Sequence, residues 1–433
     1  MLKKILAGGF SDNFRENSQI VSKINILLNK GYITDKDSID FLENQLTHSD
    51  PSIRELAART IVTEVIGQEY MSQRLQSLKV LLPFVPYPDL HNAPSFGQID
   101  LHTHSLLSDG YSTPAAHILD SYEQGLFAVA LTDHDILPQF KPYHESYLSA
   151  QIVNDYFKDL GVSRDFTFIP GVEFNVMFRG LPVHMLAYLP DYYKCYDELI
   201  SLPVFQNMLH KLSLTAEAKE KAVWMLLGKL NERFPELAVT KEEVRNAARG
   251  NIIRSHITDA LFNKYRDYFN SLEITRSKDV WYKWLPHEYK SNKGYTNYLP
   301  SIEEISFLLN AANGKIAIPH PNEIFQEERF ANKSGTLEGI TESLMYLMKT
   351  KKLHDQAFLG ISYYSSKGTA EDRAKVMELY QRVICEEPYF GAGFYLLPES
   401  DSHGKFTSSP GRQSDYPTDR KEYNATILKS LFS

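Results

Sequence analysis

In the stretch Ile99-Asp100-Leu101-His102-Thr103-His104, three polar side chains that can bind protons or metals alternate with the rest. That is the period of a β-strand, so Asp100, His102 and His104 share one face. Two imidazoles two residues apart at a strand end can grip one metal ion. Asp109 follows in Ser108-Asp109-Gly110, a turn signal. A single His-x-His pair reads most simply as a polar sheet face ending in a turn. Comparable punctuation recurs, however, each time after a short apolar run. It gives His134 in Thr132-Asp133-His134-Asp135, Glu173 in Gly171-Val172-Glu173, then His184, and His320 in Pro319-His320-Pro321. Asp401 and His403 follow in Ser400-Asp401-Ser402-His403-Gly404. Six of the fourteen histidines belong to this set. Gathering so many polar groups without an ion would be costly. Imidazole and carboxylate without thiolate suit Zn, Mn or Fe.

These residues need elements to carry them. Residues 98–200 and 301–405 read as strand, loop and helix in turn. The strands are "QIDLHTH", "FAVALTDHD", "FTFIPGVEFNV", "LPVHMLAYL", "KIAIPHP", "FLGISYY" and "AGFYLLPESDSHG", with helical segments at 114–124, 145–160, 301–313 and 370–386. This alternation predicts an α/β fold with a largely parallel sheet or barrel, whose chemistry sits at the carboxyl ends of the strands. Residues 1–94 predict an N-terminal helical region. Ile20, Ile24, Ile26, Leu27 and Leu28 form one apolar face, and Asp50-Pro51 starts a later helix. The passage "LTHSDPSIRELAARTIV" resembles a HEAT-type repeat, but a buttressing bundle is the simpler reading of one unit. Residues 82–97, rich in Pro, read as a linker. Residues 201–300 carry helical patterns and all three Trp, and read as an insertion that divides the barrel into 95–200 and 301–433.

At 433 residues and 43% hydrophobic content the chain has ample core for two or three domains. A net charge of -8 argues against broad nucleic-acid binding through a basic surface, while leaving room for a local cationic or metal-lined phosphate site. Cys195 and Cys385 make neither a disulfide framework nor a thiolate metal motif. The first ten residues are too short in their apolar part for a signal peptide, and no run approaches membrane-spanning length. A cytoplasmic protein without membrane contact is expected.

Taken in order, His-x-His, Ser-Asp-Gly, Thr-Asp-His-Asp, Gly-Val-Glu, a following His, His-Pro and Ser-Asp-x-His-Gly resemble the PHP (polymerase and histidinol phosphatase) family over residues 98–200 and 300–405. The resemblance implies a distorted (β/α)7 PHP barrel, here divided by the helical insertion, with two to three divalent metal ions at the barrel mouth; the N-terminal α-helical domain lies outside the family pattern. It implies that His102, His104, Glu173 and Asp401 hold one metal. Glu173 would bridge to a second with His184 and His320, and Asp109, His134 and His403 would hold a third. Asp100 and Asp135 are then expected to orient imidazoles. Within the insertion, "ARGNIIRSH" resembles the Arg-Pro-His segment of the subgroup of 3′,5′-nucleotide phosphatases and RNase AM-type 5′-to-3′ trimming exoribonucleases. That likeness assigns Arg254 and His256 to substrate phosphate, with Arg249 a weaker candidate. Ser255 stands where the subgroup has Pro, and Ser362 where relatives often carry Glu.

The favoured function is therefore a metal-dependent phosphoesterase. It would hydrolyse a small phosphorylated molecule, a nucleotide or short oligonucleotide end, through a metal-bridging hydroxide. Two alternatives stay open: a phosphatase of a metabolite such as histidinol phosphate, and a non-catalytic metal-bound interaction or sensing module with a protein partner on the N-terminal helices. Trp281, Tyr282 and Trp284 could stack on a base, although a helical core is their more usual place. No Gly-x-Ser-x-Gly supports a serine hydrolase.

Overall fold

The computed structural model describes residues 12–28, 33, 35–66, 98–110, 112–138, 146–147, 149–150, 166–178, 181–248, 252–286, 298–320, 358–364, 370–386, 395–403 and 421–432. The expected linker at 82–97 and Arg249 lie outside them. The chain divides into two compact units. One comprises Met1–Asp89, Thr113–Glu123 and Gln139–Phe166; the other Leu90–Ser112, Gln124–Pro138 and Thr167–Ser433.

The first unit is helical, with α1 (Asp12–Leu28), α2 (Lys36–Gln45), α3 (Pro51–Thr60), a π-helical turn at Ile61–Ile66, and α4 (Pro114–Glu123). Asp35 caps α2 by accepting from the Ser38 amide at 2.9 Å, and Asp50 caps α3 through the Ser52 amide at 3.0 Å, with Pro51 at the first turn. Ile24, Leu27, Ile39, Leu42, Ile53 and Ala57 are buried together. Ile26, expected on the same face, is 65% exposed. Residues three or four apart share a helix face, and Ile26 stands two from Ile24.

The second unit carries seven strands in one sheet, in the order β1 (Gln98–Thr103), β2 (Leu126–Leu131), β3 (Thr167–Phe178), β4 (Leu181–Tyr188), β5 (Lys315–Ile318), β6 (Phe358–Tyr364) and β7 (Tyr395–Pro398). Beyond the strand ends, the His104 amide donates to Ser402 O at 2.7 Å, drawing the β1 and β7 ends together into a nearly closed barrel. The expected barrel architecture is thus present, with one distortion: β4 runs antiparallel to both β3 and β5. Only residues 179 and 180 separate β3 from β4, too few for a crossover helix. At Gly360 a Cβ would lie 2.0 Å from Tyr395 O, so the β6–β7 approach requires glycine.

Between β4 and β5 lie α5 (Tyr192–Leu199), α6 (Pro203–Arg233), α7 (Lys241–Ala248), α8 (Ser255–Lys264) and α9 (Arg266–Ser271), followed by helical turns at Ser277–Asp279 and Val280–Trp284. The insertion has its own core: Val223, Leu226, Leu227 and Leu230 of α6 with Val244, Ile257, Leu261 and Phe269. Trp224, Trp281 and Trp284 pack against it. Trp284 meets Phe234 and Phe269 with ring centroids 4.8 and 5.5 Å apart, so the tryptophans serve as helical core. The side chain of Tyr282 lies outside the described residues.

Helix α10 (Ile302–Ala311) precedes β5 and α11 (Ala370–Glu386) precedes β7. The final helix, α12 (Lys421–Phe432), packs Ile427, Leu428 and Leu431 into a cluster with Ile99, Leu101, Ala128 and Leu397. No helix among the described residues is long and apolar enough to cross a membrane.

Candidate metal centre

All nine expected metal ligands converge beyond one end of the barrel. His102 Nε2 lies 3.0 Å from Glu173 Oε2 and 3.8 Å from Asp401 Oδ1, and His104 Nε2 lies 3.2 Å from each of these oxygens. On the other oxygen of Glu173, His184 Nδ1 stands at 2.8 Å and His320 Nε2 at 2.9 Å. Asp109 Oδ2 lies 3.1 Å from His403 Nε2 and 3.7 Å from His134 Nε2. Glu173 is therefore shared between two of the groups and His104 adjoins the third, with Nδ1 3.7 Å from Asp109.

The sheet explains the convergence. His102 and His104 end β1, His134 follows β2, His320 follows β5, and Asp401 and His403 follow β7, all at carboxyl ends. His184 departs from the expected rule. It lies in the amino half of β4, paired with Asn175, and reaches the mouth because β4 is reversed. Gly110 allows the Asp109 turn through space: a Cβ there would lie 2.4 Å from His104 O. Asp135, His320 and Asp401 all have left-handed backbones, with φ of 56°, 25° and 51°. Such conformations cost on the order of 1–3 kcal/mol each and persist where surroundings over-determine them.

The donor set fits cations. His102 and His104 face each other with Nε2 atoms 3.0 Å apart, an approach of two ring nitrogens that a shared positive charge would favour. His134 Nδ1 is buried 3.3 Å from Glu173 without a hydrogen bond. Burial opposes charge on His102, yet Glu173, Asp401 and Glu399 outweigh it and hold the imidazole well above its ordinary range. His104, likewise buried, is pushed up to about 10 by Asp109, Asp401 and Glu173. Against the same desolvation, the surrounding imidazoles hold Asp109 and Glu173 well below the carboxylate range. At His134 burial outweighs Glu173 and Asp109 and pushes the imidazole down to about 3, so the carboxylates favour positive charge at His102 and His104 and leave His134 neutral.

The supporting groups differ from expectation. Asp100 accepts from the Ser400 amide at 2.9 Å, the Ser400 hydroxyl at 2.5 Å and the His102 backbone amide at 3.3 Å, and so ties the end of β1 to the segment after β7. Asp135 accepts from the Asn175 amide at 2.8 Å, Asn175 Nδ2 at 2.7 Å and Lys219 Nζ at 2.6 Å. A carboxylate that does orient an imidazole is Glu399, unassigned by the motifs: it accepts from His102 Nδ1 at 3.1 Å and from the His320 amide at 3.1 Å, while Asp401 O meets His403 Nδ1 at 2.8 Å. The only signal of Glu399 in the sequence is an acid two residues before Asp401. Asp133 accepts from the amide and hydroxyl of Ser105 and from the Ser108 hydroxyl, bracing the Asp109 turn. Ser362, noted above as standing where the resembled family often carries Glu, is buried with a hydroxyl that has no hydrogen-bond partner.

The insertion reaches this mouth. His256 is 4% exposed, and burial pushes its imidazole down to about 4 despite an opposing pull from Asp109. Its Nδ1 accepts from the Ile253 amide at 3.1 Å, which leaves the proton of the neutral ring on Nε2. Arg254 is half-buried at the N-terminal boundary of α8.

No protein-family model matches the chain. In sequence it is 23% identical over 226 residues to the 5′-3′ exoribonuclease Rnm of Escherichia coli (strain K12), and 22% identical over the same length to Rnm of Salmonella typhimurium. Each match covers 51% of this chain and 64% of the relative, so the likeness spans less than two thirds of the curated relatives. In structure the chain resembles a protein of Bifidobacterium adolescentis described as a metal-dependent phosphoesterase. The TM-score is 0.50 at 19% identity, over 77% of this chain and 96% of that one. An amidohydrolase from Chromobacterium violaceum with bound sulfate gives the same TM-score and identity over 74% and 92%. At this distance the two structures establish a shared fold.

Proposed function

We propose that this chain, whose motifs and fold resemble those of the PHP family, is a divalent-metal-dependent phosphoesterase acting on a nucleotide or oligonucleotide end. The observation that carries this reading is the convergence of nine imidazole and carboxylate donors at one end of the barrel. In this reading His102, His104, Glu173 and Asp401 hold one ion, Glu173, His184 and His320 a second, and Asp109, His134 and His403 a third. When bound, such ions polarise phosphoryl oxygens and furnish a nucleophile from water near neutral pH.

The chain's own residues supply the rest. Glu399 accepts a hydrogen bond from His102 Nδ1, so that Nε2 is the ring nitrogen that faces the cluster. Glu173 presents one oxygen to each of two groups of imidazoles, fixing their spacing. Arg254 supplies a permanent charge and a planar fork suited to a phosphate. His256, neutral near pH 7, supplies a hydrogen bond from Nε2–H without adding charge. The distant relation to Rnm supports a nucleotide or RNA end over other phosphate esters.

The test combines elemental analysis of protein purified without chelator with product release from a 3′,5′-bisphosphonucleotide (phosphate), a 5′-phosphorylated short RNA (mononucleotide) and histidinol phosphate (phosphate). Bound Mn, Fe or Zn with metal-dependent release from the first two supports the proposal. Release confined to histidinol phosphate would move the enzyme to the metabolite class. Metal without hydrolysis of any of them would sink the phosphoesterase reading.

A further inference from the structure

Helix α6 enters the insertion with a stripe of four polar side chains, each one turn apart: Asn207, Lys211, Thr215 and Lys219. An i, i+4 series lies along one helix face. Asn207 Nδ2 and Lys211 Nζ donate to the two oxygens of Glu304, at 2.6 and 2.8 Å. Thr215, fully buried, donates to Tyr298 O at 3.2 Å. Lys219 Nζ reaches Asp135 at 2.6 Å, with the two side chains 23% and 5% exposed. At 1.5 Å per residue the stripe spans about 18 Å. Its first half grips the start of α10 and its last member grips the loop that bears His134.

One turn further along, the same face becomes apolar. Val223, Leu227 and Leu230 begin the core that α6 shares with Ile257, Ala260 and Leu261 of α8. The helix thus docks on the barrel with its first half and carries α8 with its second. Arg254 and His256 stand at the start of α8, and His256 already feels Asp109.

We propose that Lys219 is a positioning residue: its bond to Asp135 anchors the α6 strut at the mouth and so fixes Arg254 and His256 over the metal ligands. This rests on the phosphoesterase reading only in taking phosphate as the group those two residues meet. Asp135 keeps both Asn175 bonds when Lys219 is removed, so the His134 loop stays in place while the strut loosens.

The test is Lys219→Met, which keeps the aliphatic stem, with Lys219→Arg as the conservative variant. Amide exchange over residues 252–264 is measured in metal-free protein, and inorganic phosphate binding by calorimetry in manganese-loaded protein. The expected result for Lys219→Met is exchange about tenfold faster over 252–264 and phosphate affinity about tenfold weaker, with unchanged metal content, as for loss of one charge-assisted hydrogen bond. Lys219→Arg should restore both. Exchange at the wild-type rate overturns the proposal, including the case where phosphate affinity alone falls, which would make Lys219 a direct phosphate contact. Faster exchange in a protein whose wild type binds no phosphate would uphold the anchor and count against the phosphoesterase reading.

Discussion

His102 divides its ring between two carboxylates, Glu399 on Nδ1 and Glu173 on Nε2, and that division sets what each substitution does. Glu399→Ala removes the group that fixes ring orientation and tautomer, together with the acceptor of the His320 amide. Loss of such a partner lowers metal affinity by roughly 10–100-fold, so competition with a graded chelator should strip metal from Glu399→Ala well before wild type. Wild-type resistance in the variant would show that His102 needs no such support. Arg254→Ala should behave in the opposite way. Metal content stays the same while phosphate-ester turnover falls, by a bidentate charged contact of about 1.5–3 kcal/mol in kcat/KM. Unchanged kcat/KM would remove Arg254 from the site. Most of the nine donors stood out in the sequence as chemically expensive residues at or just past the end of an apolar run, whereas Glu173 and His184 lie within their strands and entered through the motif series. Glu399, Asn175 and Lys219 were not, because an orienting group is defined by what it touches. Asp100 and Asp135 were visible, yet the partners described above are main chain, a serine hydroxyl, an amide side chain and an ammonium, and sequence spacing carries no information about those.

The elements show the same limit. The seven apolar runs mark seven strands, since each is short, rich in β-formers and bounded by turn residues. The reversal of β4 follows from the two residues separating it from β3, and it is what brings His184 to the mouth. Helix α10 offers an energetic test of how the insertion is held. Ser301 and Glu304 form a capping box, and Glu304 also accepts from Asn207 and Lys211. Burial favours its neutral form, but Lys211, the Ser301 amide and Asn207 outweigh this and hold the carboxyl below its ordinary range. A depressed carboxyl contributes stability that is present above the unfolded value and lost as pH falls through the folded one. Glu304→Ala should therefore destabilise by about 1–3 kcal/mol at pH 7. Its gap from wild type in thermal unfolding should narrow on acidification below about pH 4, given an unperturbed Glu near 4.3. A gap independent of pH would assign the loss to packing alone.

At the scale of the whole molecule, charge bears on substrate length. The chain carries a net charge of -8, while the groups assigned to phosphate sit together at one barrel mouth and its insertion. A protein that tracks a long polyanion through 6–10 phosphate contacts loses roughly 10³–10⁵ in affinity between 50 and 200 mM salt, because each contact releases counterions. An acidic protein that captures one terminal phosphate with metals and a single Arg has few counterions to release, and its surface repels the rest of a long strand. Its kcat/KM for a nucleotide or a short RNA should therefore change by less than about tenfold over the same salt range, a slope of one or two contacts. Lengthening the RNA at constant 5′-end should leave KM flat or raise it. The measurement is kcat/KM against salt for a bisphosphonucleotide and for RNAs of increasing length. A steep fall with salt, together with KM decreasing as the strand lengthens, would mean that the insertion contributes an extended path for the polyanion and that capture is not confined to the terminal phosphate.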